Sequence, residues 1–173
     1  MRYSFDTEQW VPYRVDRVFA FFADPMNLPA LMPQCQKARI EQARLVPPPI
    51  RPDIAESSAG AIAGEGSEMT ISFRPLPFSP IRISWQARIV EFEWNDHFCD
   101  EQPRGPFQYW RHCHYISEAT RGEITGSMVK DALVYELPLG ILGGVAQRIF
   151  VGRQVKAIFA FRQKRLLENL AAR

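Results

Sequence analysis

The chain has 173 residues, 46% of them hydrophobic and 12% aromatic, and carries a formal net charge of +2. That length suits one domain, able to bury roughly 70% of the surface its unfolded form exposes, so folding requires neither a metal nor a disulfide. A charge this small does not imply a nucleic-acid-binding protein, and none is expected.

Tyr3 to Val11 mixes aromatic and β-branched residues in rough alternation and reads as a first strand, ended by Pro12. Val15, Val18, Phe19 and Phe22 then recur at helical spacing over Val15–Asp24. A second short helix is expected from Pro25, which suits a first helical position, to Met32. Gln36 to Val46 alternates again, with Lys37, Arg39 and Glu41 opposite Ala38, Ile40 and Gln42, as a half-exposed strand does. Residues 47–66, PPPIRPDIAESSAGAIAGEG, show no period and read as a flexible loop, in reach of acting as a lid. Its AGAIAGEG stretch lacks the strand–helix context of a phosphate loop and reads as filler.

From Ser67 the chain is strand-rich: Ser67–Arg74, Pro80–Trp94, Asp96–Gln102, Phe107–Ser117 and Glu123–Leu137, joined by short Pro-, Gly- and Asn-containing breaks. Such a run predicts an antiparallel meander. Beyond Pro138, apolar residues recur at Val145, Ile149, Gly152, Val155, Phe159, Leu166 and Leu170, one stripe of a helix about twenty-five residues long that must lie on the sheet. One domain, residues 1–173, is expected: α+β, with about seven antiparallel strands curved around a long C-terminal helix.

Cys35, Cys99 and Cys113 make no disulfide framework. Their odd count and wide spacing fit free thiols in a reducing cytoplasm, although Cys99 and Cys113 can neighbour each other across a hairpin. The amino terminus MRYSFDTEQW has neither a basic leader nor an apolar run, and no segment approaches the roughly 18 apolar residues of a membrane span. A soluble, cytoplasmic protein is expected.

The order strand, two short helices, six strands, long helix is similar to that of the START-type helix-grip superfamily. The wording agrees: Val18-Phe19-Ala20-Phe21-Phe22-Ala23-Asp24 with Asn27-Leu28, Trp85-Gln86-Ala87-Arg88-Ile89, Phe98-Cys99-Asp100-Glu101-Gln102, Gly105-Pro106-Phe107, Trp110-Arg111-His112-Cys113-His114, and Asp131, Tyr135, Leu137-Pro138 and Gly140. The chain resembles the SRPBCC group of polyketide cyclase/dehydrase-like and lipid-transfer-like proteins, and within it a bacterial ligand-binding subfamily. The resemblance covers nearly the whole chain. It implies a cavity for a hydrophobic molecule between sheet and helix, without implying a reaction.

His112 and His114, two apart on a strand, point to one face with Trp110 and Ile116. Phe98, Asp100 and Gln102 share a face of the preceding strand, and Asp131, Leu133 and Tyr135 a face of the last. Whether Asp100 and Gln102 meet the histidines depends on the parity of the hairpin between them, because a one-residue slip sends them to the other face. Three readings stay open for this cluster. It can be a buried hydrogen-bonded network that also orients a ligand's polar group. It can be an acid–base site built on His112 or His114 with Asp100 or Asp131. It can be a metal site on the two histidines and a carboxylate, for which spacing fixes no third ligand. No metal and no cofactor is assigned from the sequence. Trp85 and Phe159 join Phe98, Asp100, Gln102, Trp110, His112, His114, Asp131 and Tyr135 as the expected ligand-binding residues.

The long helix carries Arg148, Arg153, Lys156, Arg162, Lys164 and Arg165 against Glu168, as a solvated face does. The same excess allows peripheral contact with an anionic membrane. The leading expectation is a binding or carrier protein for a lipid, isoprenoid or polyketide-like molecule, with a cyclase/dehydrase- or hydrolase-type enzyme as the alternative. An accessory module that docks another protein through the basic helix is a third, and it requires a filled cavity.

Overall fold

The structure, a computed structural model, describes residues 1–50, 61–76, 78–138 and 140–172. The chain runs through β1 (Arg2–Val11), α1 (Val15–Ala23), a 3₁₀ segment (Pro25–Leu31), a 3₁₀ turn (Gln34–Gln36), β2 (Arg39–Arg44), β3 (Glu68–Phe73), β4 (Ile83–Glu93), β5 (His97–Arg104), β6 (Tyr109–Arg121) and β7 (Ile124–Glu136). It ends in α2 (Gly140–Ala146), a π-helical segment (Gln147–Val151) and α3 (Gly152–Ala171).

The strands form one antiparallel sheet in the order β1-β7-β6-β5-β4-β3-β2. The first two strands in sequence are therefore its two edges, and α1 with the 3₁₀ segment carries the chain from one to the other. Asp24 starts that segment by accepting a hydrogen bond from Met26 N at 3.0 Å. Pro25 and Pro29 lack the N–H groups an α-helix would use, and the tighter 3₁₀ winding follows. β2 begins at Arg39 rather than Gln36, because Lys37 adopts a left-handed φ of 46° at the end of the 3₁₀ turn.

Of the 47–66 loop, residues 51–60 lie outside the described residues. The 61–66 part is not flexible filler. Ala63 is buried and its N–H bonds Ala23 O at 2.9 Å, Gly64 N bonds Val46 O, and Gly66 N bonds Ile89 O. On the other flank the Trp94 indole donates to Pro49 O at 2.7 Å.

The C-terminal helix is unbroken, but its stripe is interrupted. Val145 and Ile149 are 51% and 65% exposed, against expectation, while Val155, Phe159, Leu166 and Leu170 are buried. The π turn Gln147–Val151, which contains Ile149, inserts about one extra residue per turn and rotates the helix before it by about 100° relative to α3.

Cys99 and Cys113 pair in register on β5 and β6 and form a disulfide, so the expectation of free thiols is overturned along with its argument for a reducing compartment. Cys35 is free and exposed. Among the described residues no helix is long and apolar enough to cross a membrane.

Two apolar clusters fill the space between sheet and helices. One gathers Val18, Phe19 and Phe22 of α1 with Phe98, Ile116, Val129, Leu166 and Leu170. The other joins Trp110, Leu133, Tyr135, Val155 and Phe159. On three elements a polar residue stands between the clusters: His112 and His114 between Trp110 and Ile116, Asp131 between Val129 and Leu133, Arg162 between Phe159 and Leu166. The polar group thus sits at one level across sheet and helix.

Candidate functional site

A cavity of about 370 Å³ lies between the sheet and α3. Phe22, Ile71, Trp85, Phe98, Trp110 and Phe159 are among the side chains that make its wall mostly apolar, and Asp100, His112, His114 and Arg162 form its polar end.

Strand register brings these groups together. Asp100 faces His112 and Phe98 faces His114 across β5–β6, while His114 faces Asp131 across β6–β7. Residues opposite each other in an antiparallel pair share a face, so the hairpin parity that the sequence leaves open puts Asp100 inward with both histidines. Asp131 Oδ1 accepts from His112 Nε2 at 3.0 Å and lies 2.7 Å from His114 Nδ1. Side-chain exposure is 5% for Asp131 and His112 and 4% for His114. Asp100 keeps 20%, and that surface opens onto the cavity it lines.

Burial opposes charge on Asp131, but the nearby Arg162 guanidinium and the two histidine N–H groups outweigh it and hold this carboxyl well below the usual carboxylate range. Burial, with His112 and Arg162 alongside, lowers His114 to about 3 against the pull of Asp131, so it stays neutral. Asp100 is raised by burial, opposed by His112 and Arg162. The Trp110 N–H also favours the charged form of Asp100, though it completes no full hydrogen bond.

An ionised carboxylate only accepts, so the histidine nitrogens that meet Asp131 carry the protons. A neutral ring so placed has its lone pair on Nδ1 in His112 and on Nε2 in His114. Both face Asp100 Oδ1, at 3.8 and 4.0 Å. Arg162 Nη2 is 3.3 and 3.4 Å from the two nitrogens of His114. Near-equal distances at that range place it over the ring face and out of line with either in-plane lone pair. The rest of the histidine pair is walled by rings: Phe22 stacks on His114 at 5.3 Å, and Phe159 meets His112 edge-on at 5.2 Å.

Seven of the expected ligand-binding residues line the cavity: Trp85, Phe98, Asp100, Trp110, His112, His114 and Phe159. Three stand elsewhere. Asp131 is behind the histidines. Tyr135 is buried with its hydroxyl accepting from Gln147 Nε2 at 2.6 Å, and burial raises its pKa. Gln102 braces the β5–β6 hairpin by donating to Phe107 O at 2.8 Å, and a side chain at Gly105 would collide with it.

The sequence reading missed Arg162, counting it with a solvated face; in the structure it lines the cavity. The signal was present, since 155, 159, 162, 166 and 170 form one helical stripe. Arg165 is also withdrawn from the free basic surface, through Ala30 O at 3.3 Å and Glu168 at 2.5 Å. Asn27 and Gln36 are further buried polar residues of the wall.

Comparison with solved structures finds the same fold at low identity. The protein TTHA0849 from Thermus thermophilus matches with a TM-score of 0.64 and 18% identity, covering 98% of each chain. Major latex-like protein 151 from Panax ginseng matches at 0.62 and 11%, covering 97% of each. Norcoclaurine synthase from Thalictrum flavum, in complex with dopamine and hydroxybenzaldehyde, matches at 0.58 and 13%, over 97% of this chain and 88% of that one. No curated protein matches the sequence. The family profile described as polyketide cyclase / dehydrase and lipid transport spans residues 11–159, and the chain belongs to that family.

Proposed function

We propose that the protein binds or carries a hydrophobic small molecule of lipid, isoprenoid or polyketide-like character, held between sheet and α3 with its polar end toward Asp100, His112, His114 and Arg162. The observation that carries this reading is a mostly apolar cavity wall on which Asp100, His112, His114 and Arg162 cluster together. Its size falls in the range of about 300–1,000 Å³ typical of small-molecule sites. Trp85 Nε1 and Arg162 Nε are buried donors of wall residues with no hydrogen-bond partner among the described residues, and a polar ligand group would satisfy them. An open cavity disfavours the accessory-module alternative. Family membership supports the same reading, because the family description includes lipid transport.

Ala87, a wall residue of β4, offers a test that leaves the polar end untouched. In titrations with an anilinonaphthalene fluorophore, the native chain should saturate at one probe per chain. Ala87→Phe should lose that binding at an unchanged unfolding midpoint. Equal binding by both proteins would assign the probe to the surface and contradict the reading.

The lone pairs of His112 and His114 favour a second reading, a cyclase/dehydrase- or hydrolase-type enzyme that uses one of them as a base. The two readings separate on whether the bound molecule is recovered unchanged. A cytoplasmic setting is carried forward as part of the proposal, now without the support of free thiols. Peripheral membrane contact also belongs to it: Arg148, Arg153, Lys156 and Lys164 are carried on the helix, whose first half also exposes Val145, Ile149 and Phe150.

A further inference from the structure

We propose that Asp100, His112 and His114 form a site for a divalent transition-metal ion at the polar end of the cavity, with Asp131 as the outer carboxylate that orients both imidazoles. The inference does not depend on the identity of the hydrophobic ligand, or on there being one.

The donor set comes first. Two imidazoles and a carboxylate suit zinc or ferrous iron, whereas magnesium and calcium prefer all-oxygen surroundings. Among the described residues, one donor atom from each of these three side chains can be chosen so that all lie within 4.8 Å of one another. The orientation is the second observation. Each histidine turns one nitrogen to Asp131 and the other to Asp100. This is the arrangement by which an outer carboxylate fixes the tautomer of a metal-ligating histidine. Here one Asp131 oxygen meets both rings, and the other nitrogen of each ring lies within 4.0 Å of the same Asp100 oxygen.

The third observation is what the Asp100 side of the histidine pair lacks. At 3.8 and 4.0 Å, Asp100 Oδ1 is beyond hydrogen-bond length from either lone pair. Metal bonds of about 2.0–2.2 Å would put the donors roughly 3.4 Å apart in a tetrahedral site, so Asp100 would need to approach the two histidine nitrogens by about half an ångström. The exposed part of Asp100 faces the cavity, which leaves room for that shift and for a fourth ligand from the cavity side. Three protein ligands with an open fourth position is the pattern of reactive rather than purely structural zinc sites.

Arg162 is the group that works against a cation here. It lies over the face of His114, outside the plane of the lone pair, and its charge is opposed by Asp131. With Asp100 ionised, the two carboxylates offset the guanidinium and one unit of the metal's charge. The remaining positive charge favours an anionic fourth ligand, such as hydroxide or a carboxylate or enolate group of a bound molecule.

The test uses the full chain with its disulfide intact, stripped by chelator, dialysed, and titrated with Zn²⁺ by calorimetry and with Co²⁺ by visible absorption. One ion per chain should bind, and Co²⁺ should develop the intense d–d bands of a low-coordinate nitrogen–oxygen site. Asp131→Asn should weaken binding by about 10- to 100-fold, the usual effect of losing an outer partner. Asp100→Asn should weaken it further. His97→Gln, in the surface group of Glu93, Asp96 and His97, and Cys35→Ser should leave it unchanged. The absence of one-to-one binding by the native chain would overturn the proposal, and that measurement needs no variant to fold. Binding that survives Asp100→Asn but is lost in His97→Gln or Cys35→Ser would assign the ion to the surface and overturn it equally.

Discussion

His114 on β6 and Asp131 on β7 are cross-strand neighbours, and their side chains meet at 2.7 Å in a region where each is about 95% buried. The contact sits between two apolar clusters, so neither residue has bulk water to fall back on. Replacing Asp131 by Ala would strand two histidine N–H donors and remove the negative charge that opposes Arg162. The expected cost is about 3–5 kcal/mol, typical of removing one member of a buried charged group. Urea unfolding of Asp131→Ala against the native chain measures it; a loss below about 1 kcal/mol would show that the network is not needed for folding.

The pairing of Cys99 with Cys113 predicts a thiol count. Denatured without reductant, the protein should expose one titratable thiol per chain, Cys35, and after reduction three. With a sequence separation of 14, the bond closes a short loop and should contribute up to about 3 kcal/mol, lost on reduction. Three thiols before reduction would contradict the pairing.

Gly126 of β7 lies where β1 ends, and a methyl group there would collide with the Val11 carbonyl oxygen. Backbone on backbone cannot yield as a flexible side chain can. Gly126→Ala is therefore expected to cost about 1–3 kcal/mol in thermal or urea unfolding, and an unchanged midpoint would mean that this edge of the sheet is looser than described.

Most of the fold was legible because alternation and helical spacing are local signals. The face shared by Trp110, His112, His114 and Ile116 could be read from position alone, as could the buried stripe of Val155, Phe159, Leu166 and Leu170. What escaped depends on register or on interrupted periodicity. Asp100 could be placed inward only once its pairing with His112 was known, and the same register makes Cys99 and Cys113 a bonded pair. Val145 and Ile149 were misassigned because a π turn shifts the helix phase between them and Phe159. Arg162 occupied the right stripe, but its charge argued for solvent, and the buried carboxyls Asp131 and Asp100 beside it account for its inward position.

The cations of the helix predict behaviour at a surface. Arg148→Gln with Arg153→Gln should weaken co-sedimentation with anionic phosphatidylserine vesicles by roughly 30-fold, at about 1 kcal/mol per cation near a charged surface. No difference from the native chain at low ionic strength would remove the membrane component of the proposal and leave the cavity untouched.

The central claim is that the cavity holds an apolar molecule. Native mass spectrometry of the purified full chain, followed by organic extraction and identification of what is released, tests it most directly. A stoichiometric adduct is expected, whose extracted molecule has an apolar body and one polar end. A chain that stays at its bare polypeptide mass, and takes up no adduct when incubated with fatty-acid, isoprenoid and polyketide-like probes, would contradict it.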